Sequence, residues 1–201
     1  MPALAPNGRV IALDLPGFGD APRPAHPLAV EEFSASVAAA LDRLGVAECV
    51  VVGHSMGSQV ATRLSIDRPD LVSGLALLGP VIDPDDRTPL RAGLRLAHDV
   101  LGESVRGNWV VFCDYLRCGM RWYLAILPSM LSYRTEDDLP RIPVPIVIVR
   151  GVRDPIARTP WVAALAALAP RGRAVVVDGA RHLVMHARPV MTASLITGVA
   201  P

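Results

Sequence analysis

The 201-residue chain contains no lysine and only three cysteines, Cys49, Cys113 and Cys118. The lack of lysine excludes Schiff-base chemistry, which needs a lysine amine. The three cysteines form neither a CxxC motif nor a Cys/His cluster, so the sequence indicates no disulfide framework and no structural zinc site. We therefore expect a protein without a metal or cofactor, in a reducing cytoplasm.

Long apolar runs and an excess of one charge are also missing. No run approaches the roughly 18 apolar residues that cross a bilayer, and the first residues do not form a signal peptide. Twenty arginines balance 19 acidic residues to a net charge of +1, which gives no electrostatic reason to expect a nucleic acid or an anionic membrane as partner. We expect one soluble globular domain that acts on a small-molecule substrate.

Strand-like and helix-like segments alternate at both ends of the chain. Continuous apolar runs that alternate with helices predict a mostly parallel sheet covered by helices on both faces, an α/β fold. The predicted strands cover residues 10–13, 49–53, 71–78, 146–149 and 174–177, and the predicted helices cover residues 30–44, 55–68, 160–168 and a last segment from about 189.

The middle of the chain follows a different pattern. Residues 83–140 show no buried strand of this kind, and they hold six of the nine aromatic residues. We expect a helical cap insertion there, between two parts of one core, residues 1–82 and 141–201. Trp109 and Trp122 could contact substrate from this insertion, although packing inside the insertion is the commoner role for such aromatics.

The sequence Gly-His-Ser-Met-Gly at residues 53–57 matches G-x-S-x-G, directly after a predicted strand and at the start of a predicted helix. Such a turn presents a serine, here Ser55, above the sheet edge, with small residues where strand and helix approach. The backbone N–H of Met56, at the start of the helix, would face a developing oxyanion. The alternative is a glycine-rich turn in which the serine only caps the helix.

A serine hydroxyl needs a base to become a nucleophile at neutral pH. His182 follows the predicted strand at residues 174–177, at the carboxyl end of the sheet where open α/β folds build their sites. His186 is the weaker competitor for this role. We therefore expect His182 to be the general base.

The imidazole of a catalytic histidine needs a carboxylate to orient it. Asp154 follows the strand at residues 146–149, so the order Ser, Asp, His along the chain is that of an α/β-hydrolase. The acidic residues at 83–86 are the fallback for this role. Asp154 could instead only cap the helix that follows it.

Four segments together resemble the α/β-hydrolase fold superfamily, in its serine-nucleophile branch. They are Asp-Leu-Pro-Gly-Phe-Gly at residues 14–19, the serine motif at 53–57, Arg-Gly-Val-Arg-Asp at 150–154 and Gly-Ala-Arg-His at 179–182. The resemblance implies a cap at residues 83–140 and a Ser-His-Asp triad. In these features the sequence is similar to esterases, C–C bond hydrolases, lactonases and cofactor-free haloperoxidases.

The resemblance also implies strands and a His-Gly loop ahead of residue 10, which residues 1–9 do not supply. We therefore expect an N-terminally shortened hydrolase fold, with Met56 as the remaining oxyanion donor and weakened activity. The missing strand would lie beside the strand at residues 49–52. Unless residues 10–13 move there, we expect the edge of that strand to be exposed and to favour homodimerisation or aggregation.

Two classes of function follow. The first is a serine hydrolase acting on a small ester, lactone or related carbonyl substrate. The second is a degenerate hydrolase fold that binds a small molecule or a partner without turnover. A cofactor-free haloperoxidase would use the same residues as the first.

Overall fold

The computed structural model describes residues 2–200 and contains a four-stranded parallel sheet. The strands lie in the order of the chain, β1 (Cys49–His54), β2 (Val72–Leu78), β3 (Ile146–Gly151) and β4 (Gly172–Val177). The helices are α1 (Val30–Arg43), α2 (Met56–Asp67), α3 (Pro89–Gly102), α4 (Val105–Cys118), α5 (Met120–Ser132), α6 (Thr135–Asp138), α7 (Thr159–Leu168), α8 (Val184–Ala187) and α9 (Pro189–Thr197).

The two central strands are the most buried elements because helices cover both faces of the sheet. Along β2, Leu75 and Leu77 pack against α2 and α7, whereas the intervening Ala76 and Leu78 pack toward α8 and α9. Successive strand residues point to opposite faces, so a continuous apolar run suits a strand that is covered twice. The predicted α/β fold is confirmed.

Residues 83–140 form only helices, short helical turns and loops. Helices α3, α4 and α5 each contain a stretch of apolar residues at helical spacing, and α5 buries Trp122 and Ile126 against the core cluster around Phe33. Within residues 2–200, no helix is both long enough and apolar enough to cross a membrane.

The predicted strand at residues 10–13 is wrong, because this segment has no strand assignment and joins no ladder of the described sheet. A strand needs a neighbour for its N–H and C=O groups, and β1 pairs only with β2. The open edge expected for β1 is therefore present, and Val52 there is partly exposed to solvent.

Candidate active site

Ser55 lies in a strained turn between β1 and α2. Its φ of 52° and ψ of −123° make it the one residue other than glycine with a positive φ among residues 2–200. Such a conformation costs on the order of 1–3 kcal/mol and persists only where the surroundings enforce it. The N–H of Ser55 donates to the carbonyl of Leu78 at 3.0 Å, which ties the turn to the end of β2.

The two glycines of the motif have different roles. A Cβ on Gly53 would overlap the backbone of Gly57 and Ser58, so glycine is required where the helix leaves the strand. A Cβ on Gly57 would meet no atom within 4 Å outside its own helix turn. The expectation that close approach requires glycine is therefore confirmed for Gly53 and wrong for Gly57.

His182 and Asp154 form a buried pair. The Nδ1 of His182 lies 3.0 Å from Asp154 Oδ2, and the other carboxylate oxygen accepts from the N–H groups of Ile156 and Ala157 at 2.8 and 3.0 Å. Burial raises the pKa of Asp154, but the hydrogen bonds and the charge of His182 outweigh it, so that this pKa lies below its ordinary value. Asp154 therefore orients the histidine and also caps its own turn.

Parallel strand order brings these groups to one edge of the sheet. Asp154 follows β3, His182 follows the adjacent β4, and both loops leave from carboxyl ends of strands. Gly79 follows β2 with a φ of 54°, and a Cβ there would lie 2.8 Å from Cε1 and 2.9 Å from Nδ1 of His182. Glycine at 79 is thus what leaves room for the pair.

Arg150, which the sequence analysis did not select, holds the loop that carries Asp154. Its buried guanidinium donates to the carbonyls of Asp154 and Ala157 at 2.8 and 2.6 Å, and to Thr159 Oγ1 at 2.6 Å. Burial lowers the pKa of Arg150, and the charge of Asp154 opposes that shift. An arginine inside an apolar strand is the sequence signal that could have marked it, because a buried charge needs partners.

His54 supports the loop of His182 from the end of β1. Its Nε2 donates to the carbonyl of His182 at 3.1 Å, and the two imidazole rings have centroids 4.8 Å apart. Removal from water and then the proximity of His182 lower the pKa of His54 to about 3. His54 is therefore a neutral donor at physiological pH.

Ser55 and His182 line the same cavity of about 410 Å³. The Nε2 of His182 is buried and has no hydrogen-bond partner among the described residues. Met56, at the first position of α2, also lines this cavity, where a helix start leaves an N–H without an intrahelical acceptor. Ser55, an imidazole nitrogen without a partner among the described residues and the first residue of α2 thus line one cavity.

The competing residues lie elsewhere or are otherwise engaged. His186 is exposed on α8 and is not part of the cavity wall. Asp83 and Asp85 pair with Arg158 at 2.7 and 2.9 Å, and Asp86 pairs with Arg95 at 3.0 Å. The structure brings none of these three carboxylates to His182.

Neither tryptophan lies in the cavity wall. Trp122 is buried beside Gly17 in a core cluster with Phe33, whereas Trp109 lies exposed on α4. Trp122 therefore has the packing role that was the alternative to substrate contact, and Trp109 belongs to the outer surface. The cavity is instead lined from this part of the chain by α3 and α4 residues such as Tyr115.

The described part of the chain, residues 2–200, contains no group of three or more His, Cys, Asp or Glu side chains placed to share a metal ion. All three cysteines are free. The candidate catalytic groups are Ser55, His182 and Asp154, with the backbone N–H of Met56 beside them.

Comparison with known proteins places this chain in a family. The sequence model of the alpha/beta hydrolase family matches residues 1–195. An (E)-2-((N-methylformamido)methylene)succinate hydrolase from Acinetobacter baylyi is 27% identical over 200 residues, which cover 87% of this chain and 73% of the relative. The chain belongs to the alpha/beta hydrolase family.

Other matches are partial in sequence or confined to the fold. The dihydrolipoyllysine-residue acetyltransferase component of an acetoin cleaving system from Pseudomonas putida is 42% identical over 77 residues, and the match spans 38% of this chain and 21% of that protein. The meta-cleavage product hydrolase of Pseudomonas fluorescens IP01 superposes with a TM-score of 0.80 at 18% identity, covering 98% of this chain and 81% of that chain.

Proposed function

We propose that this alpha/beta hydrolase is a serine hydrolase that cleaves a small ester, lactone or related carbonyl substrate. The observation that carries the proposal is the buried pair of His182 and Asp154, whose unpartnered Nε2 lines the same cavity as Ser55. A histidine held at Nδ1 by a carboxylate and free at Nε2 is the arrangement that a general base requires.

In the proposed reaction, Ser55 Oγ attacks the carbonyl carbon while His182 Nε2 takes the hydroxyl proton. The carbonyl electrons move to the oxygen, which accepts a hydrogen bond from the N–H of Met56. Collapse of this intermediate expels the alcohol, which receives the proton from His182, and leaves an acyl group on Ser55. Water then attacks the acyl carbon while His182 takes a proton from it. The acid is released, and Ser55 Oγ regains its proton from His182.

Asp154 acts through His182 in this scheme. Its Oδ2 fixes the tautomer with a proton on Nδ1 and stabilises the imidazolium that forms during each proton transfer. Arg150 and His54 act one step further out, because they hold the loops of Asp154 and His182 through the carbonyl contacts described above. We assign them as positioning residues.

The cavity favours a small, mainly apolar acyl or alkyl group. Its volume of about 410 Å³ lies at the small end of the usual range for ligand sites, and apolar residues form most of its wall. Part of this wall comes from α3 and α4, so we propose that the helical segment at residues 83–140 acts as a cap that decides substrate size. The free cysteines agree with the reducing cytoplasm that we propose as its location.

Binding without turnover is the second candidate. It is favoured by one observation: Ser55 Oγ forms no hydrogen bond with His182 Nε2 in this structure. Under this alternative the cavity would hold a ligand, but Ser55 would have no activated hydroxyl.

A fluorophosphonate probe separates the two candidates, because it labels only an activated serine. We expect covalent labelling of Ser55, detected by mass spectrometry of the folded protein, and loss of labelling in His182→Ala. His186→Ala is the matched control, since His186 is exposed on α8, and it should retain most of the labelling. No adduct on Ser55, or equal loss in both variants, would favour the binding protein.

A further inference from the structure

Helix α4 exposes an apolar face to solvent. It buries only Gly107 and Cys118. Four apolar residues form a stripe on its outer side, which we call the α4 stripe: Val105 (88% exposed), Trp109 (66%), Phe112 (52%) and Leu116 (66%). The spacing of four, three and four residues places all of them on one side of the helix. Such a stripe normally faces a core, and when exposed it marks an interaction site.

Arginines follow one border of the stripe. Arg106 and Arg117 lie about 100° around the helix from the stripe and are exposed, and their guanidinium groups form no ion pair or hydrogen bond among residues 2–200. The one acidic residue of α4, Asp114, lies on the side of the helix opposite the stripe and lines the cavity. The outer face of α4 is therefore both apolar and positive.

The other border of the stripe adjoins the cavity. Asn108 and Tyr115 line the cavity, and by helical spacing they lie about 70–90° from the stripe on the side away from the arginines. A surface that docks on the stripe thus comes next to the wall of the candidate active site. This adjacency does not depend on whether Ser55 is catalytic.

We propose that the α4 stripe docks on an anionic lipid bilayer, with the helix lying in the plane of the headgroups. Trp109 and Phe112 would enter the boundary between headgroups and acyl chains, while Arg106 and Arg117 contact lipid phosphates. A second copy of this chain fits less well, because two stripes facing each other would bring unpaired arginines together with no acidic partner on that face. The net charge of +1 is a sum over the whole chain and does not reveal these two arginines beside an apolar stripe.

Vesicle sedimentation tests the proposal without any assay of activity. The full chain is mixed with vesicles of phosphatidylcholine alone or of phosphatidylcholine with phosphatidylglycerol, and the bound fraction is measured. We expect strong binding only where phosphatidylglycerol is present. Each arginine near the surface contributes roughly 5-fold, so Arg106→Gln with Arg117→Gln should lower the partition coefficient about 25-fold.

Two control variants match the changes. Arg9→Gln with Arg171→Gln removes the same charge from exposed positions outside residues 83–140. This variant should bind vesicles within about 2-fold of the unsubstituted chain. Trp109→Ser with Phe112→Ser should abolish binding, whereas Val190→Ser, at a position 76% exposed on α9, should not. The fold of each variant is checked by its thermal unfolding.

Three results would overturn the proposal. The first is an absence of sedimentation with either vesicle, and the second is equal loss of binding in the stripe variants and their controls. The third is a dimer, seen by light scattering, that Trp109→Ser with Phe112→Ser dissociates while vesicles bind neither form. Fluorophosphonate labelling of Ser55 tests the proposed hydrolase separately, so that either proposal can fail while the other holds.

Discussion

The two sides of the sheet differ in how completely their polar groups are paired. On the side of β3 and β4, Asp154, Arg150 and His182 are buried and linked by short hydrogen bonds. At the other end of the sheet, β1 pairs only with β2, and residues 10–13 join no ladder of the described sheet. Ser55 follows β1, so the proposed nucleophile lies on the β1 side of the sheet, whereas Asp154 and His182 lie on the β3–β4 side, which we call the supported side.

The comparison also applies to the two outer strands. β4 exposes Arg173 at its edge, and a charged side chain there discourages pairing with another chain. β1 has consecutive valines at residues 50–52, with Val52 exposed and no charge among them. The uncharged apolar edge and the hydrogen-bonded pair of His182 and Asp154 therefore belong to different strands of this fold.

The largest expected effect lies on the supported side. Asp154→Asn keeps the shape of the side chain but favours the wrong tautomer of His182, so we expect kcat to fall about 10⁴-fold with little change in KM. Steady-state kinetics on a p-nitrophenyl ester measures this. The control is Asp138→Asn, because Asp138 is also buried and accepts from Tyr133 at 2.7 Å, but lies outside the cavity. Equal losses in the two variants would contradict the assignment.

Two separate glycine substitutions test how closely the backbone packs against the ring of His182. Gly79→Ala would place a methyl group 2.8 Å from His182 Cε1, so we expect about a 10²-fold loss of kcat/KM from displacement of the ring. Gly45→Ala has a similar backbone, with φ of 64°, but open space around the new methyl. Both variants should lose about 1–2 kcal/mol of unfolding free energy, measured in urea, and only Gly79→Ala should lose activity.

Sequence patterns predicted those parts of the fold that depend on local composition. Four apolar runs became strands β1 to β4 within a few residues of their predicted bounds, since runs rich in β-branched residues favour strands. Residues 10–13 have the same composition but no strand, because pairing depends on a neighbour and not on the run itself. Composition alone could not reveal this difference.

The candidate site divides in the same way. Ser55, Asp154 and His182 were selected because each follows a predicted strand, and the structure places Asp154 beside His182 and Ser55 in the cavity that His182 lines. His54 was missed because its partner is the carbonyl of a residue 128 positions away, which no local pattern shows. Trp109 was selected for its residue type, but the side of α4 that it occupies faces solvent.

A titration prediction concerns the contact that joins the two sides. His54 has a folded pKa of about 3, whereas in the unfolded chain it titrates near 6.5. The unfolded state therefore binds more protons between these values, and stability falls as the pH drops through that window. We expect His54 to account for about 2 kcal/mol of unfolding free energy lost between pH 7 and pH 5.

Urea unfolding at the two pH values measures this loss. His54→Gln cannot take up the proton, so its unfolding free energy should depend less steeply on pH than that of the unchanged chain. His186→Gln serves as the comparison, because His186 is exposed and does not line the cavity. An unchanged pH dependence in His54→Gln would show that the ring is not kept neutral by the fold.

The smallest effect is expected at the open edge of β1. Val52 is 41% exposed on β1 and Val176 is 43% exposed on β4, so lysine at either position meets a similar local surface. If copies of the chain associate through β1, Val52→Lys places like charges opposite each other across the new pair and should raise the dissociation constant about 5-fold. Val176→Lys should leave the dissociation constant unchanged, since the β4 edge already carries Arg173.

Sedimentation velocity over a range of concentrations measures the dissociation constant of each variant. Ester hydrolysis is measured in parallel and should not change, because neither Val52 nor Val176 lines the cavity. Equal weakening by both substitutions would mean that association depends on total charge, and the contrast between the two edges would then have no bearing on how copies of this chain meet.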